Sequence, residues 1–171
     1  MIRRISAIGG SAIFLVLAPG FVAGMVPWWI CHWRVEAALL GLPALRFLGG
    51  VLLALGAVGI LDSFSRFAIQ GIGTPAPVFP TRHLVVTGLY RYVRNPIYVS
   101  AVSTILGQGL IFGNVSLFEY GGLVWLFFHL VVLIYEEPTL TTSFGSDYAA
   151  FCAEVPRWIP RLTPRPSHPE V

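Results

Sequence analysis

Lysine is absent, and charge of either sign is scarce. Asp, Glu, Lys and Arg together make up 11% of the 171 residues, against roughly 25% in an ordinary soluble domain. So little charge cannot cover a water-soluble globule, which excludes a soluble enzyme, a disordered tail and a fibrous repeat. Cysteine is nearly missing too. Cys31 and Cys152 are too far apart for a C-x-x-C pair, so a redox dithiol and a structural zinc site drop out, and no metal site is expected. No basic run suits nucleic acid, and no nucleic-acid partner is expected. The eleven cations, all arginine, exceed the eight acidic residues by three. In an apolar chain that excess reads as a membrane-topology signal. What is abundant is hydrophobic: 56% of the residues, with a mean hydropathy of +0.75. These features point to a single all-α integral membrane domain over 1–171.

Charge-free stretches locate the spans. No charged residue falls between Arg4 and Arg34, Arg46 and Asp62, Arg94 and Glu119, or Glu119 and Glu136. Each gap holds most of the roughly 20 residues that cross a bilayer. The expectation is four transmembrane helices over about 6–27, 44–65, 96–113 and 115–135, followed by a cytoplasmic or interfacial C-terminal helix. The first stretch starts like a secretory leader at Arg3-Arg4, but its apolar character runs on to Trp28, Trp29 and Ile30. It is therefore read as a span, bent at Pro19-Gly20. Trp28, Trp29 and Trp33 read as an interfacial belt. With the N-terminus inside, Arg3, Arg4, Arg66, Arg82, Arg91, Arg94, Arg157, Arg161 and Arg165 are cytoplasmic, and only Arg34 and Arg46 lie outside. Both termini and the 66–94 connection are then expected in the cytoplasm.

That connection carries Pro75, Pro77 and Pro80, which exclude a helix there. Asn95-Pro96 starts the third span: Asn suits the N-cap, and Pro suits a first helical position where no donor is needed. Beyond Glu136-Glu137-Pro138, the residues Leu140, Phe144, Tyr148, Phe151 and Val155 form an apolar stripe at helical spacing. A break is expected at Gly145 and a stop at Pro156. The stripe fits either a helix on the membrane surface or a wall over a site.

Two polar clusters flank the last two spans, Gly88 to Tyr98 and Glu136 to Tyr148. The 37 residues between Tyr98 and Glu136 match one helical hairpin through a bilayer, which returns the second cluster to the face the first one left. The start of the third span offers unpaired amides beside Arg91 and Arg94, suited to a carboxylate or phosphate. Glu136 suits an ammonium group or ribose hydroxyls, and Tyr90 and Tyr98 offer ring faces. S-adenosylmethionine combines these features, and nucleotides share some of them. The plain alternatives are topology-setting arginines and solvated carboxylates. His129, seven residues before Glu136, is an intramembrane ionisable group with Gln108 as its expected partner. Asp62 and Arg66 read as a structural i,i+4 ion pair.

The motifs G-x-Y-x-x-x-R-N-P-x-Y (Gly88 to Tyr98) and E-E-x-x-L-x-x-x-F-G-x-x-Y (Glu136 to Tyr148) resemble the isoprenylcysteine carboxyl methyltransferase family, a relative of the phospholipid N-methyltransferases. Val155 to Pro160 and Gly73 to Pro77 resemble its bacterial members. The likeness covers roughly 66–160. It implies a multi-pass enzyme of a bacterial inner membrane that uses S-adenosylmethionine and takes a hydrophobic or lipid-like acceptor from the bilayer, with no protein partner required. It implies cofactor contacts at Arg82, His83, Leu84, Val85, Tyr90, Arg94, Asn95, Pro96, Ile97, Tyr98 and Glu136. The eukaryotic members have His at Asn95, and a substrate-linked Arg where this chain has Val132. Glu136, Tyr98 and His129 are the candidate catalytic residues, with His129 or Glu137 as base if the acceptor is an amine. An NADPH-dependent membrane reductase and a non-catalytic lipid-binding scaffold are the rival readings.

Overall fold

The structure, a computed structural model, describes residues 19–66 and 84–166. Their regular elements are all helices, and no strand occurs among the described residues. A π-helical turn, Phe21–Met25, leads into α1, Val26–Cys31. Then come α2, Ala44–Arg66, α3, Pro96–Phe112, and α4, Ser116–Val131. A second π-helical turn, Val132–Glu136, carries the chain without interruption into α5, Glu137–Glu154.

Among the described residues, two helices are long and apolar enough to cross a membrane: α2, with 23 residues, and α4–α5, with 39 counted across a kink at Gly145. Phe21–Cys31 and Pro96–Phe112 are apolar but shorter. The expected four spans are thus met in length by two. Gly113 ends α3 after 17 residues by adopting the left-handed conformation, which leaves a helix about 26 Å long. Residues 6–18 of the first expected span lie outside the described residues. The C-terminal helix expected beyond Glu136-Glu137-Pro138 is present as α5, and it starts in direct continuation of α4. Pro138 sits in the first turn of α5, and the Glu137 amide reaches back to the Val132 carbonyl through the π turn, so the helix runs on as far as Gly145. Gly145 does interrupt α5, with φ 49° and ψ −119°.

Glycines set the central packing. A Cβ at Gly56 would lie 2.3 Å from Thr104 Oγ1, and one at Gly107 would lie 2.7 Å from the Gly49 carbonyl oxygen. Only bare backbone lets α2 and α3 approach so closely. On the other face of α3, Ile105 is fully buried against Ala23 and Val124.

The first helix is fastened through its own irregularities. Pro27 has no N–H, so the Ala23 carbonyl lacks its i+4 donor. Gln108 Nε2 donates to that carbonyl at 2.7 Å, and Gln108 Oε1 accepts from Trp33 Nε1 at 3.2 Å. Likewise the Val26 amide bonds Phe21 in the π turn, and the Tyr120 hydroxyl donates to the Val22 carbonyl at 2.8 Å. Gln108 is therefore not the partner of His129. The acceptor that proline frees on the first helix holds it instead.

Candidate active site

The apolar stripe on α5 finds its partner in the segment before α3. Tyr148, Phe151 and Val155 form a buried cluster covered by Leu84 and Val86. Val85 is buried, and the chain then turns at Gly88–Arg91. Gly88 has φ +56°, and a side chain there would run into the Arg66 guanidinium. Arg66 is held in turn by Asp62, with nitrogen–oxygen distances of 2.9 and 2.8 Å, as the i,i+4 spacing predicts. This turn buries Tyr90.

Tyr90, Tyr98 and Glu136 meet at the junction of the turn, α3 and the π turn. The Tyr98 hydroxyl donates to Glu136 Oε1, and its ring stacks on Phe128 with centroids 4.3 Å apart. Burial, and then the nearby Glu136 carboxylate and Tyr98, push the Tyr90 hydroxyl well above the ordinary phenol range. The hairpin expected from the 37-residue separation thus brings these three side chains together.

The start of α3 is left uncapped. Pro96 has no N–H, and the first intrahelical bond is from Val99 to the Asn95 carbonyl at 3.1 Å. The amides of Ile97 and Tyr98 precede it and have no partner within the helix. Asn95 stands at the N-cap position but does not cap. Its Nδ2 donates instead to the Arg157 carbonyl at 3.1 Å.

The arginines are engaged by protein groups, although Arg94 Nε is buried without a hydrogen-bond partner. Arg94 Nη1 lies 3.1 Å from Glu137 Oε1 and 2.8 Å from Cys152 Sγ. Arg157 grips Glu137 bidentately at 2.7 and 2.9 Å, and that bond raises the Arg157 pKa above the ordinary arginine value. Arg91 Nε donates to the Arg165 carbonyl at 2.6 Å. The arginines expected to greet an anion therefore lock the fold around the site.

His129 Nδ1 accepts from Trp158 Nε1 at 3.0 Å, and its ring stacks on Trp125. Trp158, Arg157 and Cys152 stand beside the site although none of them is among the candidate site residues of the sequence. The only signal was the ending Val155-Pro156-Arg157-Trp158, which gives no partner. Arg82 and His83 lie outside the described residues. Val132 is buried inside the π turn. No group of three His, Cys, Asp or Glu able to hold a metal occurs among the described residues.

A family model described as phospholipid methyltransferase matches residues 44–147. The chain belongs to the phospholipid methyltransferase family. That match takes in α2, α3, α4 and most of α5, and with them Tyr90, Tyr98 and Glu136. The chain is also 39% identical over 82 residues to a protein-S-isoprenylcysteine O-methyltransferase of Schizosaccharomyces pombe. This stretch covers 47% of the chain and 34% of that relative, so the chain spans about a third of the curated protein it matches. No solved structure matches.

Proposed function

We propose that this protein is an integral membrane methyltransferase that uses S-adenosylmethionine and methylates a hydrophobic or lipid-like acceptor. The observation that carries the reading is the joining of Tyr98 to Glu136 beside buried Tyr90. In this reading the whole chain is one domain whose cofactor half is 66–160. The four apolar segments span a bacterial inner membrane with both termini in the cytoplasm.

The donor set suits the cofactor. Glu136 complements ribose hydroxyls or an ammonium group, and the tyrosine rings offer faces to an adenine or a sulfonium. The uncapped amides of Ile97 and Tyr98 suit a carboxylate. Asn95, Pro96, Ile97 and Tyr98, with Tyr90, Leu84, Val85 and Glu136, would hold it. Arg94 would act from behind, by fixing the backbone before α3. When bound, S-adenosylmethionine supplies an electrophilic methyl group on sulfur. The residues' task is then alignment and exclusion of water. Tyr98, fixed between Phe128 and Glu136, is placed to keep the carboxylate oriented toward a ligand.

The test is calorimetry of S-adenosylhomocysteine with the full chain in detergent. Glu136→Ala is expected to lose binding while the protein still inserts and stays folded. A thermal-shift panel separates the rival classes: stabilisation by S-adenosylmethionine and its demethylated product, and not by NADPH, supports this reading. Unchanged binding in Glu136→Ala removes Glu136 from the site, and stabilisation by NADPH alone overturns the methyltransferase.

A further inference from the structure

We propose that His129 is a positioning residue that works through Trp158, latching the C-terminal tail so that the start of α3 stays open to a ligand. The inference rests on the cofactor site proposed above and deepens it.

The chemistry of the His129–Trp158 bond fixes the proton. An indole N–H only donates, so His129 Nδ1 must accept. In the neutral ring the proton then sits on Nε2. One nitrogen is engaged by Trp158 and the other already carries a proton, so the ring in this arrangement holds rather than abstracts. Trp125 stacks on it with centroids 5.3 Å apart and planes 13° apart, and it also meets Trp158 edge-on. The three rings form an aromatic clasp between α4 and the tail.

The tail joins this clasp to the site. Val155, 1% exposed, anchors its beginning in the α5 cluster. Trp158 anchors it again on His129. Between the two anchors, the Pro156 carbonyl accepts from the Arg94 amide at 2.9 Å, and the Arg157 carbonyl accepts from Asn95 Nδ2 at 3.1 Å. Further on, the Arg161 amide bonds the Tyr92 carbonyl and the Arg165 amide bonds the Arg91 carbonyl, each at 3.0 Å. The tail therefore runs along 91–95, the segment that delivers Tyr98.

The bond to Asn95 is the functional link. Asn is among the best helix caps, and an unrestrained Asn95 would bond the free amides of its own helix. Those are the amides the cofactor carboxylate is proposed to use. By occupying Asn95 Nδ2, the Arg157 carbonyl keeps the side chain turned away. Releasing Trp158 lets the tail drift, frees Asn95 to cap α3, and closes the anion site. The loss should appear in ligand affinity rather than in turnover by the saturated enzyme.

The experiment is a double-mutant cycle on the full chain in detergent. His129→Phe and Trp158→Phe keep the rings and remove the hydrogen bond. Each is expected to weaken S-adenosylhomocysteine binding about fivefold, as one lost hydrogen bond does. The double variant should be no weaker than the worse single variant. His129→Asn places an acceptor near the Nδ1 position and should restore most of the affinity. Hydrogen exchange at the Arg94, Arg161 and Arg165 amides should quicken in both Phe variants. Independent losses that multiply in the double variant overturn the latch. So does a His129→Asn variant with unchanged affinity but turnover reduced about 100-fold, which would make His129 a base. If the native protein binds no S-adenosylhomocysteine, the cofactor reading fails, and the exchange measurement decides the latch by itself: faster exchange supports it and unchanged exchange overturns it.

Discussion

Glu137→Gln tests how the fold is clamped around the site. The carboxylate takes two bonds from Arg157 at 2.7 and 2.9 Å and one from Arg94 at 3.1 Å. The side chains of Arg94, Glu137 and Arg157 are 13%, 20% and 31% exposed. A solvent-exposed pair contributes about 0.2–1 kcal/mol. Breaking a fully buried one costs about 3–5 kcal/mol. Three partly buried charges fall between, and neutralising Glu137 also leaves two guanidinium groups side by side. The expected loss is about 2 kcal/mol, or roughly 4–8 °C in melting temperature for a chain of this size. Asp62→Asn is the internal control. Asp62 and Arg66 are an i,i+4 pair, each 29% exposed, and such pairs contribute about 0.5 kcal/mol or less. Arg157 has its pKa raised by Glu137, so its contribution is whole below the ordinary arginine value and fades only in strong alkali. The deficit of Glu137→Gln should therefore be constant from roughly pH 7 to pH 10. The assay is thermal unfolding in detergent at several pH values. A Glu137→Gln shift no larger than that of Asp62→Asn would refute the reasoning.

Gln108→Leu leaves the Ala23 carbonyl without a donor, because Pro27 cannot supply one. A loss of about 1–3 kcal/mol is expected in the denaturation midpoint, and an unchanged midpoint would show that the Gln108 bond is dispensable. Gly56→Leu should abolish cooperative unfolding, since its Cβ would strike Thr104, whereas Gly50→Leu, with open space around it, should fold. Equal behaviour of the two variants would sink the glycine-seam account. Buried Tyr90 keeps its proton above the ordinary phenol range, so its contribution is whole below about pH 10 and declines as pH rises toward the elevated value. Tyr90→Phe should flatten the alkaline fall in melting temperature, and an identical fall would place its cause elsewhere.

Much of the fold was legible where one physical rule dominates. Charge gaps found α2 and α3 because a bilayer excludes charge over a fixed length. The hairpin followed from that length, and with it the meeting of Tyr98 and Glu136. The i,i+4 spacing gave Asp62 and Arg66. Legibility failed where partners depend on backbone irregularity. The π turn at Val132–Glu136 adds a residue to the helix, so the seven-residue spacing of His129 and Glu136 no longer places them on one face. Each finds a different partner. Gln108 was misassigned for a related reason: its acceptor exists only because Pro27 lacks a donor, and periodicity does not record missing donors. Gly49 and Gly56 stand seven residues apart and thus on one face, but in an apolar span a pair of small residues has no contrast with its neighbours, and the α2 seam emerges only from the packing.

The arginines mark the deeper limit. Arg91 and Arg94 beside a helix start look like an anion site when read along the chain, because proximity in sequence shows a cation but not its counter-charge. Glu137 lies next to Glu136 in sequence, and only the rotation about the helix divides their roles. Glu137 turns to two guanidinium groups, while Glu136 turns to two tyrosines. Arg94, which shares the Glu137 carboxylate with Arg157, cannot also hold a ligand's carboxylate at full strength, and Arg91 is turned to the Arg165 carbonyl. That shifts the task to uncharged donors, the Ile97 and Tyr98 amides, whose availability depends on where Asn95 points. The tail that directs Asn95 begins 60 residues later, and a contact of that range is fixed by the completed fold rather than by any local pattern.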